Sequence, residues 1–422
     1  MKIFNLILVA LAPLALAKAT LMDTDMANGI VDNYIVVMKS TDQKILQAHY
    51  QQMNAIAQQN KEKGGIKRTY GMSGFNGYHI ECDDSTLDTI RNDPNVDYVV
   101  QDSRIITEAP ISSEAAPRSD AAAEPWGLGR ISHRESGFKS YIKETAAKGA
   151  MQTYAYIVDS GILVTHQEFG GRAIFGHNFV DGSPDTDENG HGTHVAGIVG
   201  GNTVGVDDST QLIAVKITGV NGTGAMSTGI AGIVWAVNDA LMRGVEMRSV
   251  INKSTGGNRN QAQNDAVKSA VEAGVTVVVA AGNQGENACN HSPGSAAEAI
   301  TVSATDKCDK RLESSNYGTC VDIHAPGDNI YSAWKDSDSS YHTTGGTSMA
   351  APHVASLVTY LMSRELISGP EAIANRLDVL GTRSKVQELS GDPDVIAFNG
   401  NSAELLYDPH SEGDECETLE DI

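Results

Sequence analysis

Residues 211–252, QLIAVKITGVNGTGAMSTGIAGIVWAVNDALMRGVEMRSVIN, indicate the fold class of this chain. The stretch begins and ends with short apolar runs, QLIAVKI and RSVIN, of the kind that forms buried parallel strands. Between them, GIAGIVWAVNDALMRG has a helical apolar pattern. A strand, a helix and a second strand in this order predict a parallel βαβ unit.

The same alternation continues on both sides of this unit. TYAYIVD precedes it, and the helical NDAVKSAVEAG and the strand-like VTVVVAAG follow it. We therefore predict one α/β domain over residues 121–400 with a mainly parallel central sheet. In such sheets the active groups gather at the carboxyl ends of the strands.

A smaller unit precedes this domain. Residues 34–107 contain three strand-like runs, NYIVVM, GYHIE and VDYVVQD, with two helical stretches between them. The order β-α-β-α-β predicts a ferredoxin-like α+β sandwich. The segment that follows, to residue 120, is rich in Ala, Pro and Ser without periodicity. It is predicted to be an exposed linker, where proteolysis concentrates.

Composition and the chain termini narrow the class of protein. The 422 residues carry a net charge of −22, which argues against a nucleic-acid partner. Residues 1–17, MKIFNLILVALAPLALA, are predicted to be a secretory signal peptide cut after Ala17. A membrane anchor is disfavoured because the apolar core is short and Pro13 interrupts it. Residues 401–422 are acidic and predict a solvated tail.

Three polar residues stand where the α/β pattern expects functional groups. Asp159 ends the strand TYAYIVD, and His191 follows a turn in ENGHGTHVAG. Ser348 lies in TGGTSMAAPHVA, at the start of a helix expected to begin near Thr347, with Pro352 in its first turn, where a missing N–H costs little. Alone, Ser348 would be read as a helix cap, Asp159 as a turn residue and His191 as a buried structural histidine. Together they supply a nucleophile, a general base and a carboxylate that orients the base.

These motifs closely resemble the subtilisin-like serine proteases, in particular the fungal proteinase K-like branch. The chain order Asp, His, Ser is that of subtilisin. The resemblance covers about residues 126–400, and more weakly an inhibitor-type propeptide at 34–107. It implies a subtilisin-like three-layer fold preceded by that propeptide.

The resemblance also implies a role for each residue of the site. Ser348 attacks the peptide carbonyl, His191 transfers the proton, and Asp159 orients the imidazole. Asn283, in AAGNQG, together with the backbone N–H of Ser348, would bind the oxyanion. Two segments would flank an extended substrate: Gly222, Thr223 and Gly224, and Ser254, Thr255, Gly256 and Gly257. Lys253 and Thr255 stand where the family usually has apolar residues, which leaves the specificity of the pocket open.

The same resemblance implies which residues could bind a metal ion. No cofactor is expected for catalysis. A structural Ca²⁺ would use Asp322 and the carbonyls of Ala297 and Ala299, although Asp322 could equally be a plain turn residue. The EF-hand-like DTDENG at 185–190 fails because its twelfth position is Ala196.

Five cysteines in an oxidising compartment permit two disulfides, and their spacing argues against zinc. By resemblance Cys289 pairs with Cys320. A second bridge, between Cys308 and Cys416, could tie down the tail, and Cys82 would leave with the propeptide. Val195 replaces a cysteine of close relatives, so sensitivity to thiol reagents is not expected. Asn221, Asn252 and Asn290 begin glycosylation sequons, with Asn252 on a buried strand and the least suited to carry sugar.

The sequence thus predicts a secreted, monomeric serine endopeptidase made as a zymogen, with a vacuolar location as the alternative. It would act on proteins and peptides and engage neither nucleic acid nor membrane. Its own propeptide, residues 18–120, would inhibit the cleft and be cut near 118–121. The competing hypothesis is a non-catalytic secreted binding protein on a protease fold.

Overall fold

The computed structural model describes residues 18–22, 28–107 and 126–402. The predicted signal peptide, the linker after residue 107 and all but the first two residues of the acidic tail lie outside these ranges.

The N-terminal domain is an antiparallel sheet with two helices on one face. Its strands pair in the order β3-β4-β2-β5, and β1 runs parallel to β5. The predicted order lacked one strand: β3, with the sequence GIKRTYGM, alternates buried and exposed residues but contains two glycines and three charged or polar side chains. The elements are β1 (Thr20–Met22), β2 (Gly29–Met38), α1 (Gln43–Asn60), β3 (Gly65–Met72), β4 (Phe75–Glu81), α2 (Asp84–Arg91) and β5 (Val96–Thr107).

The C-terminal domain is built on a nine-stranded sheet, in the order β18-β19-β15-β14-β12-β10-β6-β8-β7. All neighbours are parallel except β18 and β19, as the alternating sequence pattern predicted. The elements are α3 (Trp126–Ser132), β6 (Tyr154–Asp159), β7 (Ala173–Asn178), α4 (His191–Gly200), β8 (Gln211–Lys216), β9 (Thr223–Ala225), α5 (Met226–Arg243), β10 (Ser249–Lys253), β11 (Thr255–Asn258), α6 (Gln261–Glu272), β12 (Thr276–Ala280), β13 (His291–Ser292), β14 (Ile300–Thr305), β15 (Ile323–Pro326), β16 (Ile330–Ala333), β17 (Tyr341–Thr344), α7 (Thr347–Glu365), α8 (Pro370–Leu380), β18 (Thr382–Arg383) and β19 (Val395–Ile396).

Two hydrophobic cores make this domain three layers thick. Successive residues of a strand point to opposite faces, so Val278 of β12 packs in the core under α4 and α7. Its neighbours Val277 and Val279 pack in the core under α5 and α6. Because both faces of the sheet are covered, its strands are apolar almost throughout, which is why they could be recognised in the sequence.

The two domains share the second of these cores. The face of the N-terminal sheet that its own helices do not cover contributes Ile35, Tyr98 and Val100 to the core formed with α5 and α6. The carboxylate of the buried Asp102 accepts the backbone N–H of Ser227 at 3.0 Å and its hydroxyl at 2.6 Å, at the start of α5. The N-terminal domain therefore caps a helix of its neighbour.

A disulfide closes the segment between β12 and β15, as predicted. Cys289 and Cys320 are bonded across a sequence separation of 31 residues. Cys82 is a free, buried thiol of the N-terminal domain, and burial raises its pKa to about 12. The suggested pairing of Cys308 with Cys416 falls outside the described residues, because Cys416 belongs to the tail.

Replacing Cys289 and Cys320 by alanine is expected to lower the free energy of unfolding of the C-terminal domain by about 3 kcal/mol, because a cross-link over this length restricts the unfolded chain. The measurement is urea unfolding in a protein whose Ser348 is replaced by alanine, which prevents self-digestion. An unchanged midpoint would contradict the prediction.

Candidate active site

Each of the three predicted catalytic residues lies at the end of a regular element. Asp159 is the last residue of β6, His191 is the first of α4, and Ser348 is the second of α7. All three side chains are buried, with relative exposures of 3 % or less.

Asp159 and His191 form a direct contact. The Nδ1 atom of His191 lies 2.7 Å from Oδ1 of Asp159, and the same oxygen accepts the backbone N–H of Ser160. Because a carboxylate only accepts, Nδ1 carries the proton, and Nε2 is the basic nitrogen of the neutral ring. The approach of α4 to β6 depends on Gly192, where a Cβ would lie 2.1 Å from the carbonyl oxygen of Gly161.

A second histidine on α4 differs from His191 in its surroundings. Nε2 of His194 lies 3.1 Å from each of the backbone carbonyls of Ile330 and His342. Burial lowers the pKa of His194 to about 3, so its ring is neutral at physiological pH and its Nε2 is a hydrogen-bond donor. His194 is therefore committed to structure and His191 is the candidate base.

Asp187 holds the turn that carries His191. Its Oδ1 accepts the hydroxyl of Ser160 at 2.9 Å and the backbone N–H groups of Asn189 and Gly190 at 3.0 and 2.8 Å. Its Oδ2 accepts both the backbone N–H and the hydroxyl of Thr193, at 2.9 and 2.6 Å. The carboxylate thus joins the residue after Asp159 to the first turn of α4, where a negative charge also suits the helix dipole.

The role of Asp187 was missed in the sequence, where the surrounding stretch was tested only as a calcium loop. Asp187 stands four residues before the first residue of α4, outside the N-cap position that sequence patterns mark, so its role has little signal in the sequence. The carboxylate is buried and takes its hydrogen bonds from protein donors.

Ser348 lies in a helix start of unusual construction. The preceding Gly346 has φ 118°, a conformation that favours glycine. The helix begins at Thr347, as expected, but Pro352 is its sixth residue and not within the first turn. Its missing N–H leaves the carbonyl of Ser348 open, and the hydroxyl of Ser254 donates to that carbonyl at 3.0 Å.

Ser348 and Ser254 form two reciprocal hydrogen bonds, in which the hydroxyl of each residue donates to the backbone carbonyl of the other. The Oγ of Ser348 donates to the backbone carbonyl of Ser254 at 3.0 Å. The proline in the helix and the serine of the neighbouring segment are therefore parts of one arrangement that fixes the position of Ser348.

Asn283 lies beside the same helix start. Its Oδ1 accepts the backbone N–H of Thr347 at 2.9 Å and the hydroxyl of Thr347 at 3.1 Å. These two donors identify the oxygen of the amide, so the nitrogen, the end that can donate to an oxyanion, is on the opposite side. The residues Asn283, Gln284, Gly285, Leu312, Glu313, Ser314, Asp328, Gly345 and Gly346 line an adjoining cavity of about 630 Å³.

The two predicted substrate segments hold a strand of the N-terminal domain between them. The end of β5 pairs antiparallel with β9, placing Ile105 opposite Gly224 and Ile106 opposite Thr223. On its other side β5 pairs antiparallel with β11, with Thr107 opposite Thr255. The backbone N–H of Thr107 also donates to the carbonyl of Gly222 at 2.9 Å.

The structure gives the direction of Lys253, which the sequence left open. Lys253 ends β10 and is fully buried. Its ammonium group donates to the carbonyl and the hydroxyl of Thr255, both at 2.7 Å. Its Cε lies 3.4 Å from the position a Cβ would take at Gly229, on α5. Lys253 therefore extends toward α5, beneath β5, the strand that lies between β9 and β11.

The remaining predicted sites are the calcium ligand Asp322 and the glycosylation sequons. Oδ2 of Asp322 accepts the backbone N–H of Thr301 at 2.8 Å. Within the described ranges, no group of three or more His, Cys, Asp or Glu side chains could hold a metal ion.

Among the sequon residues, Asn252 is buried on β10, as predicted, whereas Asn221 and Asn290 are exposed. In the described part of the chain, no helix is both long and apolar enough to cross a membrane.

Comparison with known proteins gives two family matches. Residues 154–378 match the subtilase family (peptidase S8), and residues 33–107 match the peptidase inhibitor I9 family.

Individual relatives match over nearly the whole chain. The chain is 41% identical over 398 residues to "Subtilisin-like protease 2" of Pseudogymnoascus destructans, covering 94% of this chain and 96% of the relative. It is 41% identical over 405 residues to "Alkaline protease 1" of Aspergillus clavatus, covering 94% and 98%. A solved structure of a cold-adapted subtilisin-like serine proteinase is 37% identical, with a TM-score of 0.60 over 65% of this chain and 97% of that one.

Proposed function

We propose that this chain, which belongs to the subtilase family of serine proteases and carries an I9 inhibitor propeptide, is a secreted endopeptidase that uses Asp159, His191 and Ser348 as its triad. The observation that carries the proposal is the course of β5. An extended strand lies antiparallel between β9 and β11, which is how a protease binds a peptide. Its last residue, Thr107, pairs with Thr255, which directly follows the Ser254 whose carbonyl accepts from Ser348.

The reaction follows from the arrangement of the triad. The hydroxyl of Ser348 leaves the carbonyl of Ser254 by rotating and gives its proton to Nε2 of His191 as Oγ attacks the substrate carbonyl. Asp159 stabilises the imidazolium that forms, since its carboxylate already holds Nδ1 at 2.7 Å. His191 then protonates the leaving amine, and water hydrolyses the acyl-enzyme by the reverse of the same steps.

The oxyanion is assigned to Asn283 and the backbone N–H of Ser348. Asn283→Ala is expected to lower kcat by roughly 100- to 1,000-fold, the loss that the corresponding donor causes in subtilisin, while KM changes little. The check is steady-state kinetics on a peptide amide. A rise in KM with an unchanged kcat would instead assign Asn283 to ground-state binding.

The N-terminal domain is the proposed inhibitor. Its strand β5 fills the cleft, and its sheet is packed on α5 and α6, so substrate has access only after its removal. The sequence favours cutting in the linker near 118–121. The register favours a first cut just past Thr107, because Thr107 pairs with Thr255, and the carbonyl of the preceding Ser254 contacts Ser348.

These two cuts can be distinguished by mass spectrometry of the products formed during maturation. An N-terminal fragment ending within a residue or two of Thr107 identifies the cleft as the first site. A fragment ending near 118–121 identifies the linker. Both fragments in succession indicate a cut in the cleft followed by trimming.

Catalysis needs no cofactor in this family, and calcium is proposed only as a structural ion. The proposed ligands are the carboxylate of Asp322 and the backbone carbonyls of Ala297 and Ala299, oxygen donors of the kind that Ca²⁺ takes. The hydrogen bond from Thr301 already occupies one carboxylate oxygen. Secretion through residues 1–17, glycosylation at the exposed sequons and a monomeric state belong to the same proposal.

The test of the proposed function is labelling of the matured protein with a fluorophosphonate, alongside Ser348→Ala. The reagent reacts only with an activated serine, so we expect one adduct, on Ser348, that the variant lacks. Folded protein that is free of the N-terminal domain and takes no label would favour the non-catalytic binding protein.

A further inference from the structure

The side chain of Ile105 fills a fully buried pocket in the cleft. Ile105 is the residue of β5 that pairs with Gly224. Glycines form the walls: a Cβ at Gly224 would lie 3.4 Å from Cγ1 of Ile105, one at Gly257 3.8 Å from Cγ2, and one at Gly229 3.5 Å from Cδ1. The absence of side chains at these three positions makes room for the side chain of a bound peptide.

The end of this pocket is polar. Oε1 of Gln263 lies 3.2 Å from the position that a Cβ would take at Gly229, and Cε of Lys253 lies 3.4 Å from it. Both side chains are fully buried. Neither the nitrogen nor the oxygen of the Gln263 amide has a hydrogen-bond partner among the residues that the structure describes.

A buried amide without a partner is unfavourable, and Ile105 offers it neither a donor nor an acceptor. Because no hydrogen bond holds either end of this amide, a half-turn about its last bond exchanges the oxygen and the nitrogen. A peptide side chain with oxygen atoms at the same depth would then accept from the nitrogen of Gln263. If it also carried a negative charge, it would be attracted by the ammonium group of Lys253, whose environment is of low dielectric. The propeptide thus occupies the pocket without using its polar groups.

The length of the pocket selects among acidic residues. Glutamate has the same number of bonds from Cα to Cδ as isoleucine has to Cδ1, so its carboxylate oxygens lie one bond beyond the atom that now faces Gly229. Aspartate ends one bond short of that depth.

We infer that the pocket occupied by Ile105 selects glutamate, and next glutamine, at the fourth residue before the bond that the enzyme cuts. This inference rests on the proposed function. The position follows from the register: Thr107 pairs with Thr255, so a substrate bound in this register would place its next residue opposite Ser254, beside the nucleophile, and Ile105 corresponds to the third residue before that one.

The test uses the matured enzyme and fluorogenic peptides that differ only at this position, with Glu, Gln, Ile or Lys. We expect kcat/KM for the Glu peptide to exceed that for the Ile peptide by about tenfold or more, the effect of satisfying one buried polar group. The Lys peptide should be the poorest substrate, because its charge would lie beside Lys253.

Two variants assign the preference to its residues. Lys253→Met keeps an unbranched side chain as far as Cε and removes the charged ammonium group, so the advantage of Glu over Gln should disappear. Gln263→Leu removes the amide, so the Ile peptide should become the better substrate. Fluorophosphonate titration gives the concentration of active sites in each preparation and corrects for any misfolded fraction.

The outcomes separate the two proposals. Enzyme that is labelled at Ser348 yet prefers Ile over Glu would overturn the inference and leave the protease assignment standing. A preference for Glu that is the same in both variants would also overturn it, because the selectivity would then lie elsewhere. Absence of both labelling and cleavage would contradict the proposed function, and the inference with it.

Discussion

Ser348→Ala is expected to yield a precursor that stays a single uncut chain, with the N-terminal domain joined to the C-terminal domain. Without the proposed nucleophile, the enzyme would neither process itself nor cleave substrate. The expected loss of kcat is roughly a million-fold, as found for the corresponding residue in subtilisin. The check is mass analysis of the expressed protein, followed by peptide hydrolysis after removal of the N-terminal domain by an added protease.

The folding of this variant serves as its own control. The hydroxyl of Ser348 makes one hydrogen bond, to the carbonyl of Ser254, so its loss should change stability by only about 1 kcal/mol. Normally cut product from a host that lacks other proteases would contradict self-processing. Hydrolysis at the wild-type rate would contradict the triad itself.

Asp187→Ala is expected to impair both stability and catalysis, although Asp187 does not belong to the triad. The change removes the acceptor of five hydrogen bonds that join Ser160, the turn before His191 and Thr193. We expect a loss of at least about 3 kcal/mol in the free energy of unfolding, since bonds to a buried charge are among the stronger ones. A looser α4 start would also displace His191 from Asp159 and lower kcat more than it raises KM.

Asp185 provides a matched control in the same loop. Its side chain is exposed and accepts one hydrogen bond, from Asn178 at 3.2 Å. Asp185→Ala should therefore unfold and react nearly as the wild type does. Stability is measured by urea unfolding in the Ser348→Ala background, and kinetics in the otherwise unchanged enzyme. Equal effects of the two substitutions would exclude a special role for Asp187.

The sequence alone determined the architecture of the larger domain and the identity of its candidate catalytic residues. Strands such as TVVVA in β12 are covered on both faces, so their apolar character is visible without any knowledge of their neighbours. Asp159, His191 and Ser348 could be named because each follows or opens a regular element, and because three long motifs in one order resemble a single family.

The strand β3 was missed because its packing partners belong to another part of the chain. Its Tyr70 and Met72 are buried against α5 and α6, so their burial requires the two domains to associate. A short strand with glycines and charges has little local signal of its own. The position of Pro352 inside α7 likewise depends on a distant residue, Ser254. The hydroxyl of Ser254 donates to the carbonyl of Ser348, which receives no hydrogen bond from the proline.

Only the tertiary structure decided what the polar residues near the cleft contact. The sequence marks Lys253 and Gln263 as polar, but their meeting beside Gly229 requires β10, α5 and α6 to pack together. Asp187 could be recognised as the acceptor of five hydrogen bonds only once β6 and α4 were adjacent. The physical reason is that regular elements arise from local patterns, whereas a site joins groups that the chain separates by many residues and that packing brings within a few ångströms.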